Sequence, residues 1–289
     1  MTATALHAEI GPVRQGWRAL LSIALLTALW IAVNYALPII TASGMPTVAA
    51  RVSVHVMIAL GLWLGLERTD LTPAQRRNAW LAVMIPFTLW LAVVWGAAIN
   101  GVFRGGIVPV PLTPLAIFLP VIIGVPILLR SRRIGQVLDA MPASWLVALQ
   151  VYRVLGSAFL IGWALGAVPG IFALPAGIGD VITGLLALPA AIAVAAGTIE
   201  GRKAAIAWNI FGLLDFTVAI SLGLATSPGP LQLIVPSIPN TTAGIYPTVM
   251  IPAFAVPTSI LLHALSLRQL YRRARRVENA APVEALALA

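Results

Sequence analysis

Three ionisable residues, Arg153, Asp180 and Asp215, interrupt apolar stretches of this sequence. The chain has 18 Lys and Arg and 9 Asp and Glu, and the others fall outside those stretches or, like Arg18 and Arg51, at the edge of one. An ionisable group at mid-bilayer costs roughly 2.5–3.5 kcal/mol or more, so it has a partner or a task. One cation and two acids allow three kinds of chemistry. The first is reversible protonation or anchoring of a solute, as in a proton relay or a permease. The second is an ion-pair lock between helices. The third is activation of water by paired carboxylates.

The neighbours of the trio are also polar or small. Gln150, Arg153 and Ser157 fall within about 60° on a helical wheel. Gly177, Asp180 and Gly184 share a face, and small residues there let another backbone approach closely. Asn209 and Asp215 flank Gly212 on a third broad face. Asp180 and Asp215 lie about nine and ten residues from the same predicted membrane boundary, so at 1.5 Å per residue their depths agree. Arg153 is deeper by about 7 Å, within reach of its long side chain. The candidate substrate- or proton-binding residues are therefore Arg153, Asp180, Asp215, Asn209, Gln150 and Ser157. In the locked alternative, Arg153 pairs with one carboxylate and Asn209 holds the other.

Gly177-x-Gly179-Asp180 also fits the GxGD signature of intramembrane aspartyl proteases. The order argues against it. In those enzymes the GxGD aspartate comes second along the chain, whereas Asp180 comes first, and no Tyr-Asp pair precedes it. The chain is expected not to be an enzyme.

The elements that must carry these residues follow from composition. Of 289 residues, 60% are apolar and 9% charged, against about 25% charged in soluble domains. Runs long enough to cross a ~30 Å hydrocarbon core recur along the chain. Continuous runs fit helices rather than a barrel. The fold class expected is an all-α membrane protein of eight transmembrane helices, near 18–40, 50–66, 79–100, 112–129, 145–167, 171–196, 204–225 and 247–267. The first run is too long for the apolar part of a signal peptide and is read as a retained span.

Between those spans the basic residues alternate, and 15 of 18 collect on one side. By the positive-inside rule both termini are cytoplasmic. The net charge of +9 thus reports topology, and no nucleic-acid partner is expected. Residues 1–17 form a cytoplasmic tail, 18–267 a single membrane domain and 268–289 a basic cytoplasmic tail with a frayed end. Arg268, Arg272, Arg273, Arg275 and Arg276 in that tail could bind anionic lipid headgroups.

Two proline-punctuated spans suggest duplication. Pro114, Pro120 and Pro126 mark the fourth, and Pro247, Pro252 and Pro257 the eighth. Val125-Pro126-Ile127-Leu128-Leu129 is similar to the stretch from Val256-Pro257 to Leu262, which suggests a 4+4 parallel repeat of halves 18–130 and 145–267. The loop 226–246, with four prolines, is either a stiff surface loop or dips into the bundle.

Other features exclude chemistry. The absence of cysteine removes disulfides, thiolate metal sites and Cys nucleophiles. His55 and His263 differ in depth by about 16 Å at helical rise, so they cannot clamp one metal or haem, and no cofactor is expected. His263 is read as an interfacial group near the inner boundary. Arg51 and His55, four apart, form a small outward-facing polar face. Trp17, Trp80, Trp145 and Tyr271 are read as an aromatic belt. Gly61-x-x-x-Gly65 and Gly162-x-x-x-Gly166 match helix-packing motifs.

Several segments carry a resemblance. They are Tyr152-Arg153-Val154-Leu155-Gly156, Phe172 through Asp180, Trp208-Asn209-x-x-Gly212-x-x-Asp215 and Ile251-Pro252-Ala253-Phe254-x-Val256-Pro257. Together they resemble a large group of bacterial multi-pass membrane proteins with no assigned activity, mainly over residues 145–270. The resemblance implies a bacterial inner-membrane setting and transfers no catalytic residues. A small-solute or ion permease, with proton coupling as one form of it, is the leading expectation, and a non-catalytic membrane subunit or scaffold is the alternative.

Overall fold

A computed structural model describes residues 3–37, 44–104 and 112–287. The expected end of the first span, residues 38–40, lies outside them. Among the described residues, eight helices are long and apolar enough to cross a membrane. Those segments are Arg14–Ala36, Val48–Glu67, Pro73–Ile99, Leu112–Arg130, Ala143–Ala164, Gly170–Ala195, Ile199–Thr226 and Ile251–Arg276. They point to a multi-pass integral membrane protein, and their outward apolar faces carry residues such as Leu25, Ile122 and Leu214.

The first four helices are α1 (Ala3–Ala36), α2 (Met45–Glu67), α3 (Pro73–Ile99) and α4 (Leu112–Arg130). α3 starts six residues before its hydrophobic run. Thr72 Oγ1 accepts from the Gln75 amide and Gln75 Oε1 accepts from the Thr72 amide, a capping box with Pro73 in the first turn. That cap holds Arg76 and Arg77 inside the helix.

A short helix, α5 (Arg132–Ala140), follows where only a connection was expected. Ser131 caps it through its Oγ, and Val137 and Leu138 pack inward with Leu66, Met141, Leu146 and Leu262.

The fifth span is not one α-helix. It runs as α6 (Ala143–Leu149), a 3₁₀ segment (Gln150–Gly156) and α7 (Ser157–Ala164). Then come the long helices α8 (Gly170–Ala195) and α9 (Ile199–Thr226). After the loop, a π-helical turn (Ile251–Ala255) leads into α10 (Val256–Ala287).

The eighth span is displaced from its expected place of 247–267 toward the C-terminus. Residues 245–249 form a bend and turn rather than helix. At the other end the helix continues through the arginines, because their guanidiniums find acceptors in the protein. Arg268 donates to Leu128 O and Ser131 O, and Arg273 to Met141 O. Arg272 and Arg276 both reach Asp139. Arg275 lies over the Tyr271 ring, and both are exposed.

Of the expected belt, Trp17 and Tyr271 are exposed. Trp80 instead donates to Ala59 O, and Trp145 packs under the Arg68 guanidinium. The two glycine motifs do not pack helices as pairs. A Cβ on Gly61 or Gly166 would meet nothing within 4 Å, whereas Gly65 packs on Val137 and Gly162 on Val168.

Candidate functional site

The 3₁₀ segment sets the position of Arg153. With three residues per turn, positions i, i+3 and i+6 align along one ridge. Its buried residues follow that spacing: Gln150, Arg153 and Gly156. The ridge lies against α8 with almost no side-chain cushion. A Cβ on Gly184 would stand 2.5 Å from the Val154 amide nitrogen. Backbone contact this close brings the guanidinium between α8 and α9.

There Arg153 meets both acids. Its Nε donates to Asp180 Oδ1 at 2.7 Å, and its Nη2 donates to Asp215 Oδ2. Its Nη1 donates to Gly212 O at 3.2 Å and lies 3.2 Å from His263 Nε2. The guanidinium carbon sits 3.8 Å from the Phe216 ring centre, a cation–π contact. Four of the five guanidinium N–H groups are thus engaged.

The room for these groups comes from glycines other than those on the expected Asp180 face. A Cβ on Gly156 would overlap Asp180, and one on Gly179 would overlap the Asp215 carboxylate. A Cβ on Gly212 would stand 2.5 Å from His263 Nε2. Gly184 instead receives the backbone of the 3₁₀ segment, and Gly177 the Leu160 side chain.

His263 is a member of the site, not an interfacial residue. It is 0% exposed and links Arg153 to Asn209. A guanidinium only donates, so His263 Nε2 accepts and its Nδ1–H donates to Asn209 Oδ1 at 2.9 Å. Asn209 then donates to Ala205 O and Ser266 Oγ. This fixes one neutral tautomer. It also corrects the expected lock: Arg153 pairs with both acids, and Asn209 holds the histidine rather than a carboxylate.

The missed histidine had a sequence signal. Ser259, His263 and Ser266 recur at i, i+4 and i+7, a helical polar stripe. Ending the span at 267 placed His263 too near its boundary to show this. Tyr152 joins the stripe through its hydroxyl, 2.5 Å from Ser259 Oγ.

Gln150 and Ser157 do not join the cluster. Both are 0% exposed, and among the described residues neither Gln150 Nε2 and Oε1 nor Ser157 Oγ has a hydrogen-bond partner. Arg51 and His55 do not form the expected outward face. Arg51 is 7% exposed, while His55 stacks on Phe87 at 4.9 Å and meets Thr88.

Two cavities approach the cluster. The larger, about 570 Å³, is walled by Phe103, Phe159, Phe172, Phe216 and Ala219. Its far end is bounded by Val102–Arg104 and by both ends of the proline-rich loop, Ser227–Leu231 and Asn240–Ile245. The middle of that loop projects away, with Leu233 and Val235 each 85% exposed. Thr242 Oγ1 donates to Ala167 O and Asn240 Nδ2 to Thr226 Oγ1, which anchors the loop over the chamber. The smaller cavity, about 100 Å³, shares Asp180, Phe216, Ile251 and Val256 with the larger and includes Trp30, Asn34, Arg51, Tyr152 and Ser259 in its walls.

The two acids are not equivalent toward these spaces. Asp180 lines both cavities, and Asp215 lines neither. The side chain of Asp180 keeps 12% exposure, that of Asp215 5% and that of Arg153 1%. Arg153 lies between the carboxylates and bonds both, so they do not form the free pair that an aspartyl-protease mechanism uses to activate water.

Residues 110–271 match a domain of unknown function (DUF8737), which is more than half of the chain. The chain belongs to this family. Nothing matches it among curated proteins or among solved structures. The matched stretch holds the whole cluster, His263 and Asn209 included. It leaves out α1, α2 and α3, of which α1 supplies Trp30 and Asn34 and α2 supplies Arg51 to the smaller cavity.

Proposed function

We propose that this integral membrane protein is a small-solute permease, proton-coupled through Asp180. The observation that carries it is the roughly 570 Å³ chamber whose inner end is Asp180, the single charged member of the trio in its walls. A purely structural lock needs no chamber. Asp215, enclosed beside Arg153, serves as that lock, and Asp180 faces the solute. The π turn at Ile251–Ala255 borders both cavities and the 3₁₀ segment borders the smaller one, and breaks of this kind supply hinges in transporters.

In this reading the arginine-rich ends face the cytoplasm of a bacterial inner membrane, with both termini there. The exposed Arg275 and Arg276 meet anionic headgroups, alongside the protein contacts of Arg268, Arg272 and Arg273. Halves 18–130 and 145–267 are related as a parallel repeat, on the strength of their sequence likeness. The alternative is a membrane scaffold in which the chamber is a static pocket.

Cysteine accessibility separates the two, and the chain has no native cysteine to interfere. Ala219→Cys and Ala176→Cys line the chamber, while Leu214→Cys on the outward face is a control. A membrane-impermeant thiol reagent applied to either face of sealed vesicles is expected to label the chamber cysteines but not the control. Labelling from one face alone would sink the permease and leave a pocketed scaffold.

A further inference from the structure

We infer that the chamber takes a small organic monocation, a protonated amine with an apolar body, in exchange for a proton on Asp180. This rests on the permease reading and names its substrate class. The argument starts from charge. Arg153 carries one positive charge, and Asp180 and Asp215 carry two negative ones at ion-pair distance. His263 is held neutral by its hydrogen bonds, and the Tyr152 hydroxyl is bonded to Ser259. The cluster therefore has one negative charge in excess. Arg51 lines the smaller cavity and not the chamber, and Arg153 is the cation that ion-pairs with Asp180. Arg104 lines the chamber, where it is exposed to solvent and screened.

An uncompensated charge in an apolar interior is costly. A proton satisfies it when the chamber is empty, and a monocation can satisfy it when the chamber is filled. The site is closed to anions for the same reason. Arg153 has four of its five donors committed, so it cannot turn to receive a carboxylate or phosphate. The walls complete the assignment. Phe103, Phe159, Phe172 and Phe216 offer apolar area, and ring faces attract cations. Among the described residues no second carboxylate lines the chamber, which argues against a dication.

Three probes of one shape test the class: 2-phenylethylammonium, 2-phenylethanol and phenylacetate. Binding to the purified full chain in nanodiscs is followed by isothermal titration calorimetry. The ammonium probe alone is expected to bind at pH 8. Its affinity should weaken about tenfold per pH unit once the site is protonated. About one proton should leave per cation bound, read from heats in buffers of different ionisation enthalpy. Asp180→Asn should lose binding at least tenfold. Should that variant fold poorly, Ala219→Trp fills the chamber without touching the cluster and should abolish binding as well. Equal or tighter binding of the alcohol or the carboxylate, or no binding by any probe, overturns the cation class. Cation binding without proton release overturns the exchange. Either failure leaves the permease reading standing wherever chamber cysteines are labelled from both faces.

Discussion

Two charge clusters in this protein are near mirror images. Inside the bundle, one arginine, Arg153, is bonded to two aspartates. At the arginine-rich end, one aspartate, Asp139 on α5, is bonded to two arginines, Arg272 and Arg276 on α10. The difference is solvent. The excess charge of the inner cluster sits on Asp180 and Asp215, 12% and 5% exposed, whereas that of the outer one sits on Arg272 and Arg276, 37% and 63% exposed, around an Asp139 that is itself 9% exposed. Excess charge at the outer cluster can be met by water and counterions. Excess charge at the inner one has to be met by a proton or a ligand. The same ion-pair chemistry is thus a fastening in one place and a candidate binding site in the other.

Removing one partner from each cluster gives the sharpest contrast. Arg153→Met strands two buried carboxylates and is expected to cost about 3–5 kcal/mol, as for other broken buried pairs. Thermal unfolding in detergent would check this. Adding Asp180→Asn and Asp215→Asn should restore much of the loss, and no restoration would contradict the ion-pair account. Next in size is Gly184→Ala, whose Cβ meets the backbone of the 3₁₀ segment and cannot be relieved by a rotamer change. A loss of about 1–3 kcal/mol is expected. Gly61→Ala, with open space around it, should be neutral in the same assay.

His263→Phe keeps the ring but removes the link between Arg153 and Asn209. It should cost about 1–3 kcal/mol, the range for a buried polar group left unpaired. Because the inner cluster is enclosed, none of these losses should depend on salt.

The outer cluster should behave in the opposite way. Asp139→Asn is expected to cost about 1 kcal/mol or less, and that cost should shrink as ionic strength rises. Burial pushes the Asp139 carboxyl up, but the hydrogen bond from Arg272 and the charges of Arg272, Arg276 and Arg268 hold it below the ordinary carboxylate range. A depressed folded-state value stabilises the protein above the unfolded value of about 3.9. That contribution is lost as pH falls below it. Wild type and Asp139→Asn should therefore differ at pH 6 and converge near pH 3. A difference that persisted at pH 3 would mean that Asp139 acts by packing rather than by charge.

Much of the architecture follows from local rules. Apolar runs the length of a bilayer gave eight spanning helices with few boundary errors. The errors came where one local signal overrode another. The Thr72–Gln75 capping box started α3 among charged residues that hydropathy had placed in a loop. Acceptors on Leu128, Ser131, Asp139 and Met141 kept α10 helical past its apolar part. The amphipathic α5 was lost in a count of arginines.

The site divides in the same way. The chain by itself determined that Arg153, Asp180 and Asp215 had to meet. Charge in an apolar span needs a partner, and helical rise put them within reach. Only the tertiary structure decided how they meet. The 3₁₀ geometry, set against glycines of α8, gave Arg153 both acids at once. Packing of α10 brought His263 onto the guanidinium and made Asn209 its holder. The cavities then separated Asp180 from Asp215, two residues that no local pattern distinguishes. Shared depth can be counted along one helix. Access to a chamber depends on where several helices, and the loop anchored over them, leave space between them.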